Sequence, residues 1–432
     1  MAEPRDLSAR LVRAASSVGA VSVLARLAGL GRDIAIAATF GLSDSLDAWL
    51  IALIPVALAS GILAATVTAA VVPEYVRLRG RDPGGADTLA GAALGWTALL
   101  TLGTGLVVLA LAGPLAQVLA PGFDDAKRAL TGDLIAILAL VLVPQGLSAI
   151  LAGLGHAHDR FAALVATQIL TPAVLIVLLV GWGAQGALWP LWAGTWAGAL
   201  AELTLVALLA RRAGVRLRPG LSAGAALGSV RAAAIPMLIG STVMHATVFV
   251  DQMMATLLEG GAVSALAVGN RLVSGLATLG ALSLGTAALP LFSAEADPAR
   301  LRAGFLRVTG LALALTVPMA LALVVFAGPL VDLVFRRGAF DAADADLTAA
   351  VMVAYAFQLP FYIAGTLSGR LLIAQGRTQA MMLIAMAGFL ANVAGNLVLM
   401  QIWGAVGIAA STSIVYALTF TLGAVVCLRG LR

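Results

Sequence analysis

Runs of about 20 apolar residues recur along the whole chain, and this feature most restricts the fold. A run of that length crosses the hydrocarbon core of a bilayer as one α-helix, in which every backbone polar group is satisfied. Of the 432 residues, 61% are hydrophobic and 11% are charged, which no soluble domain of this size resembles. The alternation expected for an outer-membrane barrel is absent. The sequence therefore predicts an all-α polytopic membrane protein.

Twelve transmembrane helices are predicted from these runs. They cover residues 15–40, 46–73, 88–112, 131–153, 161–183, 186–210, 232–257, 263–292, 304–327, 347–374, 379–401 and 404–428. If the N terminus is cytoplasmic, 18 of the 26 basic residues fall on the cytoplasmic side and four fall outside, Lys127, Arg128, Arg336 and Arg337. The remaining four lie inside spans. This bias follows the positive-inside rule and predicts that both termini are cytoplasmic.

The chain also contains an internal repeat. Gly113-Pro114-Leu115 recurs as Gly328-Pro329-Leu330, and an acidic turn follows each copy. Asp33 and Asp251 stand at similar spacing in spans 1 and 7. We expect two six-helix lobes, residues 1–210 and 231–432, joined by a basic cytoplasmic linker at 211–230. An even number of spans per copy gives both lobes the same orientation, related by an axis along the membrane normal around a central cavity, which suits alternating access.

The four arginines inside apolar runs are Arg26, Arg32, Arg271 and Arg370. Each costs about 2.5–3.5 kcal/mol at the bilayer centre on insertion scales. Such charges are expected to face a watery cavity and to bind an anion, so we predict that Arg26, Arg32 and Arg271 bind a phosphate-bearing substrate. Arg370 lies nearer the cytoplasmic end of its span, and snorkelling to the interface is an equal alternative.

Acidic residues also lie within, or at the end of, predicted spans 1, 2 and 6. Asp33 follows Arg32 directly and shares a helix face with Arg26, so local neutralisation is one interpretation and a gate ion pair is the other. Asp47 begins span 2 and is a second gate candidate, as is Arg370. Glu202 in span 6 has no obvious neighbour in the sequence.

A second polar set consists of Asp251, Asn392, Asn396 and Thr412. Asn392 and Asn396 are four residues apart and face one way on span 11. One carboxylate with neutral oxygens suits a monovalent cation, whereas interhelical hydrogen bonding is the alternative that spacing alone favours. No other metal site is predicted.

Several segments together resemble the MurJ/MviN family of lipid II flippases, within the superfamily of multidrug and polysaccharide exporters. The segments are Arg26–Asp33, Phe40-Gly41, Asp47–Trp49, Ala120–Phe123, Asp159–Phe161, Asn270–Leu272, Leu289-Pro290 and Phe335–Asp341. The resemblance implies a non-enzymatic flippase for an undecaprenyl-diphosphate-linked peptidoglycan precursor in the bacterial inner membrane. By position, Arg26, Arg32 and Arg271 match the family's arginines and Asp47 its acid.

The resemblance also places the family's sodium site near Asp251, Asn392, Asn396 and Thr412, so sodium is the candidate coupling ion and no other cofactor is expected. The expected partners are the glycolipid and the bilayer, without nucleic acid, and the chain is expected to be a monomer. A basic pair of the family is replaced by Ala59 and Ser60, which favours the alternative of another lipid-linked oligosaccharide as cargo. A cation-coupled drug antiporter is a further alternative, but the arginines argue against it.

Overall fold

The structure, a computed structural model, describes residues 4–158, 161–183, 186–216, 218–222, 230, 249–294 and 297–431. All regular structure within these ranges is helical. Nine helices of the described chain are long and apolar enough to cross a membrane. The last of them, Gln379–Arg429, contains Gly404 with φ 56° and ψ −132°, a non-helical backbone that separates predicted spans 11 and 12. The predicted all-α polytopic membrane fold is confirmed.

The chain divides into two compact units, Met1–Thr39 with Ala48–Ala246 and Phe40–Asp47 with Thr247–Arg432. The short turn at 40–47 is thus grouped with the second unit, although helices on both sides of it run into the first. The predicted lobe limits at residues 210 and 231 stay a prediction, because most of the segment between residues 222 and 249 lies outside the described residues.

The helices of the first half are numbered in chain order. They are α1 Pro4–Phe40, α2 Asp44–Ala70, α3 Val72–Arg79, α4 Pro83–Ala110, α5 Ala112–Leu119, α6 Asp125–Leu138, α7 Leu142–His156, α8 Phe161–Ala166, α9 Leu170–Trp182 and α10 Trp189–Arg212. Short 3₁₀ turns at Ala139–Val141 and Thr167–Ile169 join α6 to α7 and α8 to α9. Buried apolar residues of α3, α4, α7 and α10 form one core cluster, which includes Tyr75 and Val215.

The second half begins with a helical stretch at residues 249–255, the described part of predicted span 7. The helices that follow are α11 Ala262–Ala294, α12 Pro298–Val325, α13 Ala327–Val334, α14 Ala342–Ala356, α15 Gln358–Ala374 and α16 Thr378–Arg429. Predicted span 10, residues 347–374, lies within one stretch that is long and apolar enough to cross a membrane, Ala342–Ala374, which is interrupted at Phe357 between α14 and α15. Pro360 lacks the N–H that a continuous helix would bond to Ala356, which accounts for the break.

The repeat found in the sequence has the same local geometry in both copies. The long helix α4 ends at Leu111 with φ −100° and ψ 13°, and α12 ends at Phe326 with φ −101° and ψ 12°. A short helix follows each break, and an aspartate then caps the next helix by accepting a backbone N–H, Asp124 in one copy and Asp341 in the other. The sequence similarity thus reflects a repeated backbone and is not chance.

Candidate transport site

The arginines of α1 lie in the first unit, and one of them is neutralised locally. Arg32 donates from Nη2 and Nε to Asp33 Oδ1 at 2.8 and 3.1 Å, which realises the local pairing considered from the sequence. Both side chains are partly buried. Arg26 is exposed, and no described acid lies within ion-pair distance of it. The net formal charge of Arg26, Arg32 and Asp33 together is therefore +1, and Asp33 fixes the orientation of the Arg32 guanidinium.

The arginine of α11 lies in the second unit beside a buried amide pair. Gln358 Nε2 donates to Asn270 Oδ1 at 3.0 Å, and Gln358 is buried. Because Asn270 is held towards α15 in this way, its neighbour Arg271 points away and is exposed. The sequence analysis includes Asn270 only in a segment that resembles the family and does not identify Gln358 as its partner, since the two are 88 residues apart.

The buried carboxylate of Asp47 accepts three hydrogen bonds from the start of α11. Its Oδ2 accepts from the Gly261 N–H at 2.8 Å, and its Oδ1 accepts from the Ser264 N–H at 2.8 Å and from Ser264 Oγ at 2.5 Å. An anion at a helix N-terminus is stabilised both by unpaired N–H groups and by the helix dipole. The gate candidate is therefore also a cap for a helix more than 200 residues away.

The turn that carries Asp47 is held by a second carboxylate. Asp344 Oδ2 accepts from the Leu42 N–H at 3.0 Å. Gly41 has φ 57°, and a Cβ there would collide with the Ala339 carbonyl oxygen and with Asp344. The turn 40–47 is thus fixed to α11 and α14 by two acids and a glycine.

The structure brings together all four residues of the predicted cation set, because the side chains of Asn392, Asn396 and Thr412 all approach the Asp251 carboxylate. Asn396 Nδ2 donates to Asp251 Oδ1 at 2.7 Å, and Thr412 Oγ1 donates to Asp251 Oδ2 at 3.0 Å. Asn392, one turn from Asn396, is fully buried, as is Asn396. Among the described residues, no hydrogen-bond partner exists for Asn392 Oδ1 or for Asn396 Oδ1. No described lysine or arginine lies within ion-pair distance of the Asp251 carboxylate.

Two further polar positions complete the account of the predicted residues. Arg370, in α15, is partly buried, and no described acid lies within ion-pair distance of it, so snorkelling and a gate role both stay predictions. Glu202 does have a neighbour that the sequence did not reveal, since Thr171 Oγ1 donates to its Oε2 at 3.0 Å between α9 and α10.

A neutral pair lies where the sequence shows a departure from the family pattern. Ser60 Oγ lies 2.6 Å from Gln145 Oε1 and donates to it. This pair joins α2 to α7 within the first unit without any charge.

Comparison with known proteins gives consistent results. A probable lipid II flippase MurJ of Rhizobium meliloti is 28% identical over 375 residues, covering 82% of this chain and 68% of the relative. A solved structure of the lipid II flippase MurJ in an inward closed conformation superimposes with a TM-score of 0.82 at 20% identity, covering 94% of this chain and 86% of that one. A solved structure of a multidrug resistance MATE family transporter in an inward-facing conformation superimposes with a TM-score of 0.78 at 15% identity, covering 96% of this chain and 98% of that one.

These structural similarities show the fold alone, because the identities are low. The model of the family described as lipid II flippase MurJ matches residues 36–431. The chain therefore belongs to the MurJ lipid II flippase family, whose members are membrane transport proteins and not enzymes.

Proposed function

We propose that the chain translocates lipid II, an undecaprenyl-diphosphate-linked peptidoglycan precursor, across the bacterial cytoplasmic membrane. The observation that carries the proposal is the family match, which extends over residues 36–431 and so includes both compact units. The lipid-linked substrate and the bilayer are then the partners of the chain. Both termini are cytoplasmic in this proposal, as the distribution of basic residues predicts.

Arg26, Arg32 and Arg271 bind the diphosphate in the proposed mechanism. A guanidinium offers several N–H donors in a fixed plane and forms short, charge-assisted hydrogen bonds to phosphate oxygens. Arg26 and Arg271 are exposed, and Asp33 holds Arg32 in one orientation while leaving its Nη1 available. The headgroup would thus meet two exposed guanidiniums and one oriented donor.

Transport proceeds by alternating access in this proposal, and the division of the chain into two compact units supports it. The membrane potential is one energy source, since one charge moving through 100 mV corresponds to about 2.3 kcal/mol. A second is a monovalent cation, for which sodium is our candidate.

The residues around Asp251 fit such a cation. A buried carboxylate with only neutral partners among the described residues is costly unless a cation or a proton neutralises it. The two buried amide oxygens without partners, on Asn392 and Asn396, are ligands of the kind that hard monovalent cations take. When bound, the ion would neutralise Asp251 and join the 249–255 stretch to α16.

The decisive experiment measures flipping of lipid II by the purified chain in vesicles. We expect Arg271→Ala to lower the rate by about 100-fold, because lost charge-assisted contacts to a diphosphate contribute about 1.5–3 kcal/mol each. Arg302→Ala removes an exposed arginine at the start of α12 and serves as the matched control, with an unchanged rate. Rescue of a MurJ-depleted strain by Arg271→Ala, at normal protein levels, would contradict the proposed role.

A different lipid-linked oligosaccharide is the second candidate cargo. The neutral Ser60–Gln145 pair favours it, because it stands where the resemblance leads us to expect a basic pair. Vesicles that contain undecaprenyl-diphosphate glycolipids with different glycans distinguish the two. Faster flipping of a capsule-type glycolipid than of lipid II would select the second candidate.

A further inference from the structure

We propose that a basic pocket at the end of α10 binds the headgroup of an anionic phospholipid. The pocket is lined by Arg211, Gly214, Val215, Arg216 and Arg218 and has a volume of about 740 Å³. It lies wholly within the first unit and contains none of the residues assigned to cargo or cation. The inference goes beyond the proposed function and does not depend on which glycolipid is flipped.

The pocket begins at a well-formed helix end. Gly214 has φ 94°, a left-handed conformation that glycine adopts without strain, and it lets the chain leave α10. The Val215 N–H donates to the Ala210 carbonyl at 3.0 Å, and the Val215 side chain is buried in the core cluster. The backbone that carries the arginines is therefore anchored at its first residues.

The chain is anchored a second time where it lies across α4. The Gly220 N–H donates to the Gly91 carbonyl at 2.9 Å. Gly91 and Gly95 present no side chain here, and a Cβ at either would collide with the backbone carbonyl of Arg218 or Gly220. Residues 218–222, which we call the strap, thus occupy a groove made by two glycines. The strap is a built element of the first unit and not a loose basic tail.

The electrostatics of the pocket favour an anion with more than one negative charge. Arg216 forms an ion pair with Asp87 at 2.9 Å, which fixes one guanidinium and cancels one charge. Arg211 and Arg218 are exposed, and no described acid pairs with either. Three guanidiniums and one carboxylate leave an excess of two positive charges around a cavity large enough for a phosphate group. Guanidinium groups recognise phosphate oxygens with directed, charge-assisted hydrogen bonds.

Apolar groups beside the pocket indicate that the anion is carried by a lipid. Trp96 Nε1 donates to the Leu221 carbonyl at 3.0 Å, and the side chains of Trp96 and Leu221 are 42% and 59% exposed. Trp side chains are enriched where membrane helices meet the headgroup region of the bilayer. A phosphate in the pocket would place its acyl chains against these two residues. Basic pockets at the cytoplasmic ends of membrane helices bind anionic headgroups.

Titration of the delipidated full-length chain with phosphatidylglycerol, followed by native mass spectrometry, tests the proposal. We expect the double variant Arg211→Gln/Arg218→Gln to weaken binding of the first lipid roughly 30-fold, from the usual contribution of two basic residues at a membrane surface. Arg302→Gln/Arg307→Gln removes the same charge from exposed positions of α12 and is the matched control, expected to change affinity less than twofold. Phosphatidylcholine is expected to bind all variants equally.

A second variant separates the built site from simple charge attraction. Gly95→Ala keeps every arginine but displaces the strap, and we expect it to weaken phosphatidylglycerol binding about tenfold. The proposal would be overturned if the pocket and control double variants lost phosphatidylglycerol affinity equally. It would also be overturned if Gly95→Ala displaced the strap but bound phosphatidylglycerol as well as the parent chain does.

Two competitors test the source of the phosphate. Displacement of phosphatidylglycerol by inorganic pyrophosphate at similar concentrations would assign the pocket to a soluble anion and overturn the proposal. Displacement by geranylgeranyl diphosphate at tenfold lower concentration would assign it to a prenyl diphosphate, with the same consequence. None of these outcomes depends on flipping, so failure here is distinct from failure of the proposed function.

Discussion

Asp33 and Asp251 occupy similar places in the two copies of the repeat, yet they have opposite kinds of partner. Asp33 lies beside Arg32 and forms an ion pair with it. Asp251 accepts hydrogen bonds from the Asn396 amide and the Thr412 hydroxyl, which carry no charge. The first copy thus neutralises its acid within one helix, whereas the second leaves a carboxylate that needs an external positive charge. A common backbone therefore supports two different electrostatic tasks.

The largest effect expected from this contrast is on cation binding. Asp251→Asn should lower sodium affinity by at least about 100-fold, because it removes the only formal charge of the described set. Asp33→Asn, the matched change in the other copy, should leave that affinity within twofold. Calorimetric titration of the purified chain with sodium measures both. Equal losses in the two variants would mean that the repeat does not separate these roles.

The next effect concerns the turn 40–47 and the start of α11, which the Asp47 carboxylate joins. Asp47→Ala should lower the free energy of unfolding by about 3 kcal/mol, because it leaves the buried N–H groups of Gly261 and Ser264 without acceptors. Ser264→Ala should lower it by only about 1 kcal/mol, since the backbone N–H groups of Gly261 and Ser264 still donate to Asp47. Denaturation in detergent gives both values. A cost below about 1 kcal/mol for Asp47→Ala would contradict the capping role.

The helix caps after the two Gly-Pro-Leu segments should respond alike. Asp124 accepts from the Lys127 N–H at 2.8 Å and Asp341 from the Asp344 N–H at 3.0 Å. Each change to alanine should cost about 1 kcal/mol, the usual contribution of such a cap. Thermal unfolding of the two variants side by side checks this. A difference of more than about 1 kcal/mol would show that the surroundings outweigh the shared local geometry.

The smallest expected effect is at Tyr75. The residue 217 positions later, at the offset of the repeat, is Phe292, which is also buried. Tyr75 Oη lies 2.9 Å from His158 Nε2, and burial raises the pKa of the phenol. Tyr75→Phe removes this hydrogen bond and should lower the free energy of unfolding by about 1 kcal/mol at neutral pH.

The pH dependence follows from the direction of that shift. A raised pKa in the folded state means that the contribution of Tyr75 is complete below its unfolded value of about 10 and is lost as pH rises through the folded value. The unfolding midpoint of the parent chain should therefore fall above about pH 10, and the fall should be smaller in Tyr75→Phe. Parallel slopes would contradict the assignment.

Much of the fold followed from sequence patterns, because lipid requires helices of a certain length and composition. The helix ends were less predictable. Predicted span 4 began at residue 131 and the helix begins at Asp125, since a capped polar turn adds backbone hydrogen bonds without adding apolar character. The break at Phe357 is hard to predict because the apolar run is continuous there, and only the missing N–H of Pro360 indicates an interruption.

The candidate site was predictable in its residue types but not in its partners. Asn392 and Asn396 share a helix face by periodicity alone, whereas their proximity to Asp251 depends on how α16 packs. In the sequence Glu202 has no obvious neighbour and Asn270 shows no partner, because Thr171 and Gln358 are remote in the chain.

By itself the sequence determined the membrane environment, the helical class, the repeat and the positions of costly charges, since each follows from composition, period or local spacing. Only the tertiary structure decided that Asp47 caps α11, that Asp344 holds the turn at 40–47, and that the strap lies in a glycine groove on α4. Those contacts join residues about 125 to more than 300 positions apart. A hydrogen bond depends on distance and direction in space, which local sequence does not encode.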